Sequence, residues 1–152
     1  MKLADCLLPE NIVLDLAAPS KQALIGKLSA LAARRLGLEE SEIARALTAR
    51  ENLGSTGIGG GVAIPHAAVM GLDRHFCLFA RLSRPVDFEA VDEKPVDLVF
   101  LLLNPQRQPD HLNILSCIAR RMRNDEIVAA IRAAASPDEV YLRICPTDVE
   151  RN

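Results

Sequence analysis

The chain has no tryptophan, and its aromatic residues are one tyrosine and four phenylalanines in 152 positions. It also lacks any cluster of Lys and Arg interleaved with aromatics, and its formal net charge of -2 supplies no basic field for a nucleic-acid backbone. These absences argue against nucleic acid as a partner. No stretch approaches the roughly 18 consecutive apolar residues of a membrane span, and the opening MKLADCLLPEN is too short and too soon acidic for a signal peptide. A cytoplasmic protein without membrane insertion is expected. Cys6, Cys77, Cys117 and Cys145 are far apart in sequence, with no CxxC and no zinc-type Cys/His spacing, so they are read as reduced thiols that serve packing.

Further absences narrow the chemistry. The glycine-rich stretch lacks the GK[ST] ending of a P-loop. Gly57-Ile58-Gly59-Gly60-Gly61-Val62 fails GxGxxG at its last position, and Pro65 arrives where the helix of a dinucleotide site should begin. There is no HExxH, no histidine pair at i, i+4 and no GxSxG nucleophile elbow. Neither a nucleotide, a metal nor a serine-hydrolase site is therefore expected, and no cofactor is called for.

What is present is ordinary globular composition, 49% hydrophobic and 25% charged, at a length that fits a single domain spanning residues 1–152. Asn11 to Leu16 reads as a brief strand. Ser20 is placed to cap a helix whose apolar positions Leu24, Ile25, Leu28, Leu31, Ala32 and Leu36 recur at helical spacing, and Gly37 is placed to end it in a left-handed conformation. A second helix is predicted over about Glu40 to Asn52. Phe76 to Leu82 and Val96 to Leu103 are apolar on both alternating faces, as strands covered from both sides must be. Three helices should follow: one capped by Asp110, one capped by Asn124, and one opened by the capping box Ser136-Pro137-Asp138-Glu139. Helices before, between and after such strands predict an α/β fold, a three-layer sandwich with helices on both faces of the sheet.

The abrupt feature is Gly54 to Gly61, which holds five of the eight glycines and predicts a loop or bulged hairpin. Val62-Ala63-Ile64 then forms a short strand, and Pro65 keeps Ile64 extended, so that His66 stands at a strand's end where it can reach a cleft. An imidazole there suits phosphoryl acceptance: it is nucleophilic near cellular pH, and glycines clear the approach of a partner. Backbone N–H groups around Gly57, with the Ser55 and Thr56 hydroxyls, are candidate phosphate contacts. Arg50 precedes the glycine turn and can fold back toward His66 with a fork of donors, although a solvated helix residue is the blander reading. His111, at a predicted helix start, is either a neutral donor to phosphate or simply a polar helix-start residue. His75 reads as an exposed spacer, and Arg34, Arg35 and the remaining arginines as surface charges.

The segment Arg50-Glu51-Asn52-Leu53-Gly54-Ser55-Thr56-Gly57-Ile58-Gly59-Gly60-Gly61-Val62-Ala63-Ile64-Pro65-His66 closely resembles the phosphorylation site of the mannitol/fructose-type (type 2) enzyme IIA family of the phosphotransferase system. Val86 to Leu98 and the His111-Leu112 helix look like that family too, so the resemblance covers essentially the whole chain, and it is strongest to the nitrogen-regulatory branch. It implies a mixed sheet of about five strands. It implies further that phosphoryl groups descend from phosphoenolpyruvate through enzyme I and an HPr-like phosphocarrier to Nε2 of His66, with Arg50 and His111 as phosphate neighbours. The chain would then be an enzyme only in the phosphotransferase sense. Its phosphorylation state would be read by regulatory targets such as sensor kinases or transporters; the alternatives are a sugar-transport enzyme IIA that feeds an enzyme IIB, and a binding module that is never phosphorylated. One departure stands out: many members have glycine and then lysine after the active histidine, where this chain has Ala67-Ala68-Val69.

Overall fold

A computed structural model of the chain describes residues 3–107 and 111–146, with residues 111 and 112 as backbone alone. Short 3-10 turns at Leu3–Asp5 and Pro9–Asn11 lead into β1 (Ile12–Leu16), followed by α1 (Lys21–Leu36) and α2 (Glu40–Asn52). The glycine-rich stretch forms β2 (Gly57–Gly59) and β3 (Val62–Ala63), and β4 (His66–Val69) follows directly. Then come β5 (Phe76–Val86), β6 (Val96–Pro105), α3 (His111–Met122), α4 (Asp125–Ala133) and α5 (Pro137–Ile144).

The six strands form one mixed sheet in the order β1-β5-β6-β3-β2, with β4 also paired to β6. β5 and β6 are antiparallel, while β1 on β5 and β3 and β4 on β6 are parallel. Because Ala63 pairs with Val99 and His66 with Leu102, β3 and β4 occupy one lane interrupted at Ile64-Pro65. Six strands thus fill five lanes. The interruption follows from proline chemistry: Pro65 has no N–H for the ladder, although its carbonyl accepts from the Leu102 amide at 3.0 Å. The Ile64 amide turns instead to the Thr56 carbonyl at 2.9 Å.

Strand alternation divides the apolar side chains between two cores. Cys77, Phe79, Leu98, Phe100 and Leu102 face α3, α4 and α5, whereas Leu78, Ala80, Val99, Leu101 and Leu103 face α1 and α2. That is the three-layer sandwich expected from strands apolar on both faces. The fully buried Phe79 and Phe100 rings meet edge to face, 5.8 Å between centroids, an arrangement worth about 1 kcal/mol beyond area burial.

Helix termini follow their local chemistry. The Ser20 hydroxyl accepts from the Ala23 amide at 3.1 Å, and Gly37 takes the left-handed conformation at φ 69° that a Cβ would disfavour. Asn124 Oδ1 accepts from the Glu126 and Ile127 amides. Ser136 accepts from the Glu139 amide, while the Glu139 carboxylate reaches back one residue further than an ideal capping box, to the Ala135 amide. The expected Asp110 cap lies outside the described residues.

Two expectations are corrected. β5 continues past Leu82 to Val86, with a shift of register after Arg81. His75 is no exposed spacer: it is 3% exposed, and its Nδ1 lies 2.8 Å from Asn104 Oδ1. The pairing of Phe76 with Leu103 brings the neighbouring His75 to the adjacent Asn104, so the polar pair closes one end of the β5–β6 ladder. The cysteines are free thiols, three buried and Cys117 half-buried. Burial, reinforced by the neighbouring Cys6 thiol, holds the Cys77 thiol well above the ordinary thiol pKa, which makes it a poor nucleophile. No helix among the described residues is long and apolar enough to cross a membrane.

Candidate functional site

His66 opens β4 at the lane's interruption and is half-buried. Its ring is held by the backbone behind it, where Nδ1 lies 2.8 Å from the Ile64 carbonyl oxygen. A carbonyl can only accept, so the proton of a neutral imidazole resides on Nδ1 and the lone pair on Nε2. Arg50 agrees with that assignment, because its Nε donates to His66 Nε2 at 3.3 Å.

Arg50 comes from the last turn of α2, which ends just before Gly54, a residue at φ 152°. Its Nη1 donates to the Gly54 carbonyl at 3.0 Å, so one guanidinium both ties down the helix end and reaches the histidine. Arg50 and His66 are sixteen residues apart in sequence and in direct contact in space.

The loop between them is organised from below by Glu51, which the sequence reading passed over. This carboxylate, 5% exposed, accepts from the Thr56 amide and hydroxyl and pairs with Lys21 Nζ at 2.9 Å. Lys21 also lies 4.6 Å from the centroid of the Phe88 ring, a cation–π distance. Ser55 donates its hydroxyl to the Phe88 carbonyl at 2.8 Å and accepts from the Gly57 amide at 3.0 Å. Ser55 and Thr56 therefore line the cleft with their hydroxyl protons already committed to protein acceptors. At Gly57 an added Cβ would stand 2.7 Å from Ala90 Cβ, so glycine is required there by close approach of two backbones.

His66 and Arg50 form one side of an open cleft of about 720 Å³. Across it stand Arg120, Arg123 and Asn124, from the end of α3 and the turn that follows, over a floor that includes Ile58, Leu115 and Ala119. Arg120 and Arg123 were grouped in sequence with the surface charges; they are exposed, but they line the same cleft as the candidate nucleophile. Only the helical period of α3 signals their exposure, and nothing local signals the cleft. α3 begins at His111, whose side chain lies outside the described residues. Among the described residues no three His, Cys, Asp or Glu side chains converge to hold a metal ion.

Residues 6–145 match the family described as "Phosphoenolpyruvate-dependent sugar phosphotransferase system, EIIA 2". The chain belongs to this EIIA 2 family. It is 44% identical over 142 residues to a nitrogen regulatory protein of Bradyrhizobium diazoefficiens, with 93% of each chain covered. The crystal structure of nitrogen regulatory protein IIA-Ntr from Neisseria meningitidis superposes with a TM-score of 0.89 at 36% identity, covering 93% of this chain and 98% of that one. The fold is shared more widely: enzyme IIA mannitol of Escherichia coli, solved in complex with phosphorylated enzyme IIB mannitol, gives a TM-score of 0.78 at 20% identity over 93% of this EIIA 2 chain and 98% of its own.

Proposed function

We propose that the chain, acting as one unit over residues 1–152, is a cytoplasmic phosphohistidine carrier that receives a phosphoryl group on Nε2 of His66 from an HPr-like phosphocarrier. The observation that carries this reading is the fixed tautomer: Nδ1 engaged at 2.8 Å by the Ile64 carbonyl, leaving the Nε2 lone pair at the cleft. In the transfer, that lone pair forms a new N–P bond while the N–P bond of the carrier's phosphohistidine breaks and its electron pair returns to the carrier's ring. The Nδ1 proton stays on the ring, donated to the Ile64 carbonyl, and that contact steadies the positive charge that the ring acquires. Arg50 shifts its donors from Nε2 to the phosphoryl oxygens, a contact of the strong charge-assisted kind. His111, at the head of α3, donates a further N–H to the same oxygens. The glycine turn clears the approach, and Ser55, Thr56 and Gly57 act mainly by shaping the wall, since the hydroxyl protons and the Gly57 amide are already engaged.

The output of the switch is regulatory, as in the nitrogen regulatory proteins that the chain resembles at 44% identity, and its readers are proteins such as sensor kinases or transporters. The second reading, a sugar-transport enzyme IIA, draws on the family description and on the mannitol protein solved with phosphorylated enzyme IIB. Incubation with enzyme I, an HPr-like carrier and phosphoenolpyruvate should add one acid-labile phosphoryl group by intact mass, absent from His66→Ala. Undiminished labelling of His66→Ala refutes the assignment. Rapid onward transfer to an enzyme IIB would favour sugar transport over regulation.

A further inference from the structure

Arg120 and Arg123 carry charge without an evident internal task. The neighbouring Arg121 has one, donating from Nε and Nη2 to the Ile144 and Arg143 carbonyls and so tying α3 to α5. The Arg120 and Arg123 side chains, by contrast, form no hydrogen bond or ion pair with a described residue, yet both line the same cleft as His66. With Arg50 they make three guanidinium groups around one opening, and no acidic side chain among the described residues lines it. This concentration of positive charge sits in a chain whose formal net charge is -2. A cleft of one sign in an otherwise acidic molecule focuses its field on whatever docks there.

The surroundings favour a protein over a small anion. The cleft is open along one side, its floor is apolar, and Leu53, 85% exposed, and the exposed Ala68 continue the apolar rim beyond His66. Apolar surface interleaved with arginine is the composition of protein-binding patches. We propose that this cleft receives an acidic segment of a protein partner, whose carboxylates pair with Arg120 and Arg123.

The test uses the full chain and a fluorescein-labelled hexaglutamate peptide, followed by anisotropy at low salt. Binding should weaken at least about tenfold in Arg120→Gln/Arg123→Gln, as expected for loss of two charge-assisted contacts, and should fall as salt rises. A matched control is Arg34→Gln/Arg35→Gln, which removes the exposed arginines from the last turn of α1; its affinity should be unchanged. Equal weakening in both variants, or none in either, overturns the proposal. So does displacement of the peptide by inorganic phosphate at micromolar concentration and constant ionic strength, which would make the cleft a small-anion site. If the chain takes no phosphoryl group at all, the carrier reading fails, while the comparison of arginine variants still decides the binding.

Discussion

The two walls of the cleft are built on opposite principles. On the α2 side, Arg50 is fixed by the Gly54 carbonyl and His66, and the loop beneath it is fixed by Glu51, Lys21 and Thr56. On the α3 side, the Arg120 and Arg123 side chains have no such ties to the described residues. Chemistry at a single nitrogen needs donors held to a fraction of an ångström, whereas recognition of varied partners tolerates side chains that adjust. On the proposed reading, reaction belongs to one wall and recognition to the other.

The largest effect should come from removing the support under the rigid wall. Glu51→Ala leaves Lys21 only its longer, 3.6 Å pair with the exposed Glu89 and unpairs the buried Thr56 amide and hydroxyl, so urea unfolding should show a loss of about 3 kcal/mol or more. A loss below about 1 kcal/mol would mean that the network is incidental. Next, Arg50→Ala should slow phosphoryl transfer on the order of 100-fold, as for loss of one preorganised donor, with little change in Tm. Arg50→Lys should recover only part of the rate, because an ammonium lacks the guanidinium's fork. Wild-type rates in Arg50→Ala would remove the distinction between the walls.

Gly57→Ala places a Cβ 2.7 Å from Ala90 Cβ, and because both are backbone-anchored the hairpin must shift; a loss of about 1–3 kcal/mol is expected by calorimetry. Arg120→Gln and Arg123→Gln should each move stability by less than about 0.5 kcal/mol, sharpening the view that the second wall is there for partners. The smallest effect concerns acid. The Gly60 and Lys94 amides hold the Asp92 carboxyl below its ordinary value, so its contribution is present above the unfolded carboxylate pKa and is lost as pH falls through the lowered folded one. Asp92→Asn should flatten that limb of a stability–pH profile.

The sequence exposed whatever is decided locally. Ser20 and Gly37 bracket α1 because a cap hydroxyl and a left-handed glycine act within one turn of the helix, and Asn124 and Ser136 announce α4 and α5 in the same way. Arg50 and His66 were legible as a pair because both flank one short glycine turn. β4 was not foreseen, since Ala67-Ala68-Val69 has no strand pattern of its own and owes its geometry to Leu102 through Pro105 of β6. His75 was misjudged because its partner, Asn104, lies 29 residues away. Glu51 adjoins Arg50 in sequence, but its role depends on Lys21, from the start of a different helix. Arg120 and Arg123 show the same limit: a helical period says that they are outside, and only the packing of α3 says what they face.

The interruption between β3 and β4 has a consequence for how this site can change over generations. The group that selects Nε2 is the Ile64 carbonyl, a main-chain atom, so no exchange of the Ile64 side chain can delete it. Point substitution can tune how fast the histidine reacts and what approaches it, yet the choice of ring nitrogen is written into the path of the chain. Insertion or deletion of a single residue between Ala63 and His66 would shift one half of the lane against β6 and undo that choice at a stroke, which makes these few positions far less tolerant of length change than of composition change.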